Sequence, residues 1–304
     1  MTKGKPTNIA ASAHARLMNL ARAGGRSFND LLQLYAMERF LYRLSESPHA
    51  SKFMLKGALL LRVWNPTTYR TTRDIDLLGR LPNDADSVAK VIRAVCRQEV
   101  DPDGFEFDAT TVRGESIVEE ADYHGVRITF KGHMGNARAD MQIDVGFGDE
   151  VTPSPSEIDY PVLLDNPVPR LAAYPPETAI AEKFEVMLKR GEANSRMKDF
   201  HDLWWLGQAR SFDGSSLAAA VKATCSRRGT PVIDRPTALT RTFAEDPSKV
   251  AQWRAFRRRL TPTNCPEDFR VVVDAVAAFI QPVAASIAAN GDFTMKWRPP
   301  GPWN

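Results

Sequence analysis

The chain has 304 residues, 43% of them hydrophobic and 25% charged, and its net charge is +3. That is ordinary globular composition, enough for one large domain or two lobes. No apolar run of transmembrane length stands out, and no apolar stretch follows the basic residues of Met1–Pro6, so neither a membrane span nor a signal peptide is expected.

Residues 1–9 are expected to be disordered. From Ala11 to Leu44 the pattern is helical: Leu17, Leu20 and Ala21 recur at helical spacing, Gly24-Gly25 interrupts, and Ser27, Asn29 or Asp30 can cap a second helix. Leu31, Leu34, Tyr35, Phe40, Leu41 and Leu44 give that helix one apolar face, and Pro48 ends it. An apolar strand, Lys52 to Leu55, then runs into Lys56-Gly57-Ala58 and a short helix ending near Trp64-Asn65-Pro66. A glycine where a strand turns into a helix lets backbone N–H groups approach a phosphate.

Arg73-Asp74-Ile75-Asp76-Leu77-Leu78 is the centre of the chain. With a side-chain period of two, Asp74 and Asp76 point one way while Ile75 and Leu77 enter a core. Two like charges so close repel unless a cation joins them, and carboxylates with substrate phosphates are the usual ligands of Mg²⁺. Asp86 to Val100 reads as an amphipathic helix, residues 105–119 as strands, and Val126 to Phe130 alternates strictly. After a turn over residues 132–136, Ala137 to Phe147 alternates again, which makes an antiparallel hairpin. Asp144 is thus a third strand carboxylate facing away from the core.

Pro153 to Pro169 is proline-rich and reads as a boundary. Pro175-Pro176-Glu177 opens a helix that stops at Gly191. Lys183 falls inside its apolar stripe of Ile180, Phe184, Met187 and Leu188, where an ammonium needs an anion or must snorkel. Asn194-Ser195 can cap the following helix, on which Asp199 and Asp202 share a side with Leu203 and Leu206, while His201 lies off that side and reads as structural. Between Lys222 and Arg259 ten basic residues face three acidic ones, a local excess of +7 that suits a polyanion. The tail from Trp297 to Asn304 is expected to be extended and mobile. Cys96, Cys225 and Cys265 are far apart, have no metal-ligand spacing and read as reduced thiols of a cytoplasmic protein. The expected parts are a helical arm (1–47), a core (48–160) and a helical lobe (170–304).

Phe53 to Leu78, followed by Ala181-Glu182-Lys183 and Lys198-Asp199-x-x-Asp202-Leu203, resembles the AbiEii/AbiGii toxin family, which includes the MenT toxins. Its fold is the nucleotidyltransferase fold shared with DNA polymerase β. The resemblance covers roughly residues 30–210. It implies an α+β fold with a mixed sheet flanked by helices. It also implies an enzyme that moves a nucleotide from an NTP, with Mg²⁺, to an RNA acceptor such as a tRNA 3′ end, within a toxin–antitoxin or phage-defence system. A cognate antitoxin would be encoded alongside. Lys56, Gly57 and Ala58 would cradle the triphosphate, Asp74 and Asp76 would hold Mg²⁺, and Asp144 would orient or deprotonate the acceptor hydroxyl. Lys183 would meet the phosphates, and Asp199 or Asp202 would supply a further acid. Ala58 stands where a serine is frequent, which leaves phosphate contacts to backbone N–H groups. The alternatives are transfer to a small molecule or protein, or nucleotide binding without turnover. Acceptors of the small-molecule enzymes are cationic, which the basic segment disfavours.

Overall fold

The computed structural model describes residues 8–64, 72–119, 123–260 and 265–304. The expectation of disorder over residues 1–7 and the expected helix end at Asn65-Pro66 lie outside them. The chain divides into two units, Met1–Gly148 with Ser156–Ala173, and Asp149–Pro155 with Tyr174–Asn304.

In the first unit, α1 (Ile9–Ala23) starts earlier than its apolar spacing suggests, because the Asn8 side chain accepts the Ala11 N–H and caps it. α2 (Phe28–Glu46) buries the predicted face, with Tyr35, Phe40, Leu41 and Leu44 fully enclosed. β1 (Phe53–Lys56) is short, and a 3₁₀ turn (Gly57–Leu59) leads into α3 (Leu60–Trp64). β2 (Asp74–Gly79) is followed by α4 (Ala85–Cys96), capped by Asp84. Then come β3 (Glu106–Glu119), β4 (Tyr123–Met134) and β5 (Ala137–Phe147).

Two further strands, β6 (Ser156–Asp159) and β7 (Arg170–Ala173), come from the stretch that its prolines mark as a boundary and from the residues just after it. They complete a seven-stranded mixed sheet in the order β3-β4-β5-β2-β1-β7-β6. β2 runs parallel to β5, β1 parallel to β7, and the remaining pairs are antiparallel. One face of the sheet is apolar: Ile75 and Leu77 of β2, Ile128 and Phe130 of β4 and Ile143 and Val145 of β5 are all buried. Phe40 of α2 meets Phe107 and Phe130 edge-on or tilted, the geometry that aromatic quadrupoles favour. The opposite face is polar, and it carries the carboxylates.

The second unit is helical. α5 (Pro176–Arg190) has proline in its first turn and ends at Gly191, whose φ of 47° is left-handed. α6 (Met197–Ala209), β8 (Phe212–Asp213), α7 (Gly214–Arg227), α8 (Arg241–Glu245) and α9 (Pro247–Arg257) follow. Asn194 does not cap α6; its side chain accepts the Arg196 N–H just ahead of the helix. α10 (Phe269–Ala288) is, among the described residues, a helix long and apolar enough to cross a membrane, which the sequence pattern did not bring out. Within this unit it buries Val272, Val276, Phe279, Ile280 and Val283 against neighbouring helices.

The tail is not loose. β9 (Lys296–Trp297) pairs with β8. The Trp297 indole donates to the Gly207 carbonyl at 2.7 Å and the Trp303 indole to the Phe279 carbonyl at 2.8 Å. Both rings are buried, so two large apolar side chains with satisfied N–H groups tie the tail down.

Candidate active site

β1 leaves the sheet at Gly57, whose φ of 75° favours glycine. The sheet pairs Lys56 with Asp76. A Cβ added to Gly57 would lie 1.9 Å from the Asp76 Oδ2. The glycine is therefore required twice over, by backbone conformation and by the close approach of an acid. Ala58, next to it, is buried.

β2 then presents Asp74 and Asp76 half-buried on the polar face, with Ile75 and Leu77 buried behind them. The parallel register with β5 sets Asp74 beside Gln142 and Asp76 beside Asp144. All three predicted strand carboxylates thus share one face, on neighbouring strands that run about 4.8 Å apart.

Asp144 has a partner that the motifs do not announce. Arg127 of β4 lies opposite it and grips both its oxygens, Nε to Oδ1 and Nη2 to Oδ2, each at 2.8 Å. The Gln142 amide also donates to this carboxylate, at 3.2 Å and 3.3 Å. The fork-on-fork bond to Asp144 raises the affinity of Arg127 for its proton above the ordinary guanidinium value, and the charge of Asp74 adds to it. Across the sheet the register gives a row of alternating sign at its ends: Lys56, Asp76, Asp144, Arg127 and Glu115.

Among the described residues no trio of His, Cys, Asp or Glu forms a ready-made metal cage. Asp74 and Asp76 instead offer a half-buried carboxylate pair on the polar face. That donor set fits Mg²⁺, which keeps waters and substrate phosphate oxygens in its shell and uses few protein ligands.

The second unit holds the other predicted residues. The Lys183 ammonium lies 3.0 Å from Asp199 Oδ1 and 2.9 Å from Asp202 Oδ2, so both aspartates engage it. Arg196 Nε meets Asp199 at 2.7 Å, and His201 Nδ1 is 3.1 Å from Asp202. Burial alone would push the Asp199 carboxyl up; Lys183 and Arg196 outweigh it and hold the group below the usual carboxylate range. The lysine inside an apolar stripe has its anions.

The basic segment is less basic at its surface than its composition suggests. Arg228 is caged by Asp149, Glu182 and Glu185 at 2.9–3.2 Å. Lys249 is buried and donates to the Asn194 carbonyl at 3.0 Å. Arg241 pairs with Glu245. Lys222, Arg227, Arg235, Arg254, Arg258 and Arg259 remain exposed. In the first unit Arg16 is paired with Asp165.

Comparison with known proteins follows the same lines. The model of a family described as the nucleotidyl transferase AbiEii toxin of a type IV toxin–antitoxin system matches residues 39–275. Two crystal structures share the fold at a TM-score of 0.50. One is a provisionally assigned nucleotidyltransferase from H. pylori, 13% identical, with 86% of this chain and 98% of that one covered. The other is JHP933 from Helicobacter pylori, 12% identical, with 87% and 97% covered. No curated protein matches the sequence.

Proposed function

The chain belongs to the AbiEii nucleotidyltransferase toxin family, and from that premise we propose that it transfers a nucleotide from an NTP to an RNA acceptor, a tRNA 3′ end. The observation that carries this reading is the parallel register that sets Asp74, Asp76 and Asp144 on one face of the sheet. An antitoxin partner goes with the family, whose description is that of a toxin–antitoxin system.

In this reading Asp74 and Asp76 would hold Mg²⁺. When bound, it would neutralise triphosphate charge and polarise the phosphoryl group under attack. Gly57 keeps Asp76 in place by leaving room for its carboxylate. Asp144 acts on the acceptor side. With both oxygens gripped by Arg127, its carboxylate is held in one orientation and serves to orient the attacking hydroxyl. Arg127 is then a positioning residue that fixes the Asp144 rotamer. Lys183, with its ammonium fixed by Asp199 and Asp202, takes the phosphate-neutralising role that the resemblance assigns to it. The rate contribution of each such group is about 10²–10³-fold.

The test is label transfer from each of the four α-phosphate-labelled ribonucleotides to total tRNA with Mg²⁺, beside Asp76→Ala. Label on tRNA from one nucleotide, lost in the variant, is the expected result. Label retained in Asp76→Ala, or label found only on a small molecule or a protein, overturns the reading.

A further inference from the structure

The polar face of the sheet does not end at the carboxylates. Beyond Asp74 it continues across β5 and β4 to β3 as a cleft of about 530 Å³. Its polar walls include Arg73, Asp74, Arg113, Thr129, Lys131, Asp140 and Gln142. The register explains why they meet: Asp74 lies beside Gln142, Gln142 beside Thr129, and Thr129 beside Arg113, in one row across four strands. Lys131 lies one step along β4, on the same face. The Gln33 amide, donating to the Asp140 carbonyl at 2.9 Å and the Arg73 carbonyl at 3.4 Å, ties the start of β2 to β5 at the mouth of the cleft.

The cations of this cleft differ from those that acids clamp. Arg43 is clamped by Asp103, Arg127 by Asp144 and Arg228 by three acids. Arg73, Arg113 and Lys131 are exposed, and among the described residues none of their side chains has an ion-pair partner. Arg113 Nη1 donates to the carbonyls of Thr110 and Val112, which aims the guanidinium without neutralising it. Asp74 and Asp140 line the same wall, Asp140 across from Lys131, so three cations outnumber two acids and leave a local excess of +1. The neighbouring donors, the Thr129 hydroxyl and the Gln142 amide, suit sugar hydroxyls and phosphate oxygens. Phe130, which contributes to the wall, is buried and offers no exposed ring for a base to stack on.

We propose that this cleft binds the phosphodiester backbone of a single-stranded RNA end and leads it to the carboxylates, with Arg73, Arg113 and Lys131 as the phosphate contacts. Resting on the transfer reading above, it replaces the basic segment of the second unit as the main determinant of acceptor binding. Three strand steps span about 14 Å, room for a short run of nucleotides rather than one phosphate. Recognition through backbone alone makes the site tolerant of sequence.

The experiment measures binding of a fluorescent single-stranded oligoribonucleotide to the full chain in EDTA without NTP, by anisotropy over a salt series. Arg113→Glu with Lys131→Glu is compared with wild type, with Asp76→Ala and with Arg254→Glu plus Arg258→Glu. Both cleft residues are exposed, and an unchanged melting curve checks the fold. The cleft variant is expected to bind at least tenfold more weakly and to lose about two units of log–log salt slope, while Asp76→Ala binds as wild type does. In the transfer assay it raises KM for tRNA and leaves kcat unchanged. Unchanged RNA affinity in the cleft variant overturns the proposal, as does a larger loss in the Arg254/Arg258 variant. So does loss of binding to a polyglutamate peptide with RNA binding intact, which would assign the cleft to an acidic protein segment. If wild type binds RNA through the cleft but labels none, the transfer reading fails and the cleft stands. If transfer proceeds with the same KM in the cleft variant, the cleft fails and transfer stands.

Discussion

The two units hold their aspartates in opposite ways. In the helical unit Asp199 and Asp202 are 1% and 0% exposed and are matched by Lys183, Arg196 and His201. In the sheet unit Asp74 and Asp76 sit half-buried on the polar face, and Arg127 grips Asp144. A buried carboxylate without a counterion costs several kcal/mol, so the first arrangement is closed by necessity. A carboxylate at a sheet surface keeps part of its hydration and can exchange it for a metal or a substrate. Burial separates carboxylates shut away from water from carboxylates that solvent and ligands can reach.

The largest expected effect tests the closed side. Asp202→Ala removes a fully buried carboxylate, leaves the half-buried Lys183 ammonium with one anion instead of two and strips His201 of its partner, and should cost about 3 kcal/mol of stability, read by urea unfolding. An unfolding midpoint within error of wild type would break the contrast. On the open side the sign of the outcome reverses. Asp76→Ala should remove about 10²–10³-fold in transfer, about 3–4 kcal/mol of transition-state stabilisation, with little change in melting. A variant that loses activity only because it unfolds would make Asp76 structural. Gly57→Ala comes next. A side chain there must adopt φ near 75° and displace the Asp76 carboxylate. A cost of about 2–3 kcal/mol is expected from the left-handed backbone and the overlap together, with activity falling as Asp76 moves. Normal activity in a stable Gly57→Ala protein would show that the position of Asp76 is not set by this contact.

Strand periodicity makes the open side legible from residues alone. Asp74 and Asp76, interleaved with Ile75 and Leu77, read as a strand with its acids on one face, and Asp144 follows from the alternation of β5. Arg127 was also within reach. The tight turn is Gly135-Asn136, with Met134 paired to Ala137, and counting outward from it in step brings Arg127 opposite Asp144 and Thr129 opposite Gln142. A turn placed over residues 132–136 leaves that register open. β6 and β7 are four residues each, and Ser156-Glu157-Ile158-Asp159 is almost wholly polar, as an edge strand permits. No local pattern marks them. The charge count between Lys222 and Arg259 shows the same limit. Composition cannot tell that Arg228 turns into a cage of acids while Arg254 stays in water, because the acids come from residues 149, 182 and 185. The tail fails for the same reason: Trp297 and Trp303 are fixed by carbonyls of Gly207 and Phe279, far away in sequence.

The smallest expected effect uses pH to pull the units apart. Glu38, buried in α2, accepts hydrogen bonds from Arg39 Nε and the Leu163 N–H. Burial pushes its carboxyl up to about 7 all the same, with Arg39 and Leu163 opposing. A carboxyl whose pKa is higher folded than unfolded binds more protons in the native state between the two values. Stability in the first unit therefore rises as pH falls from 7.5 to 5, by about 2 kcal/mol for this group. Asp199 has the opposite sign. Its pKa is depressed, so its contribution is present above the unfolded value and is lost as pH falls through the folded one, below about pH 4. Hydrogen exchange read separately on α2 and α6 should show slower opening of α2 at pH 5 than at 7.5. α6 should be unaffected by these two groups over that range and loosen only in stronger acid. Glu38→Gln should abolish the first response and Asp199→Asn the second. A pH 5 to 7.5 response of α2 that survives Glu38→Gln would show that its acid stabilisation comes from another group.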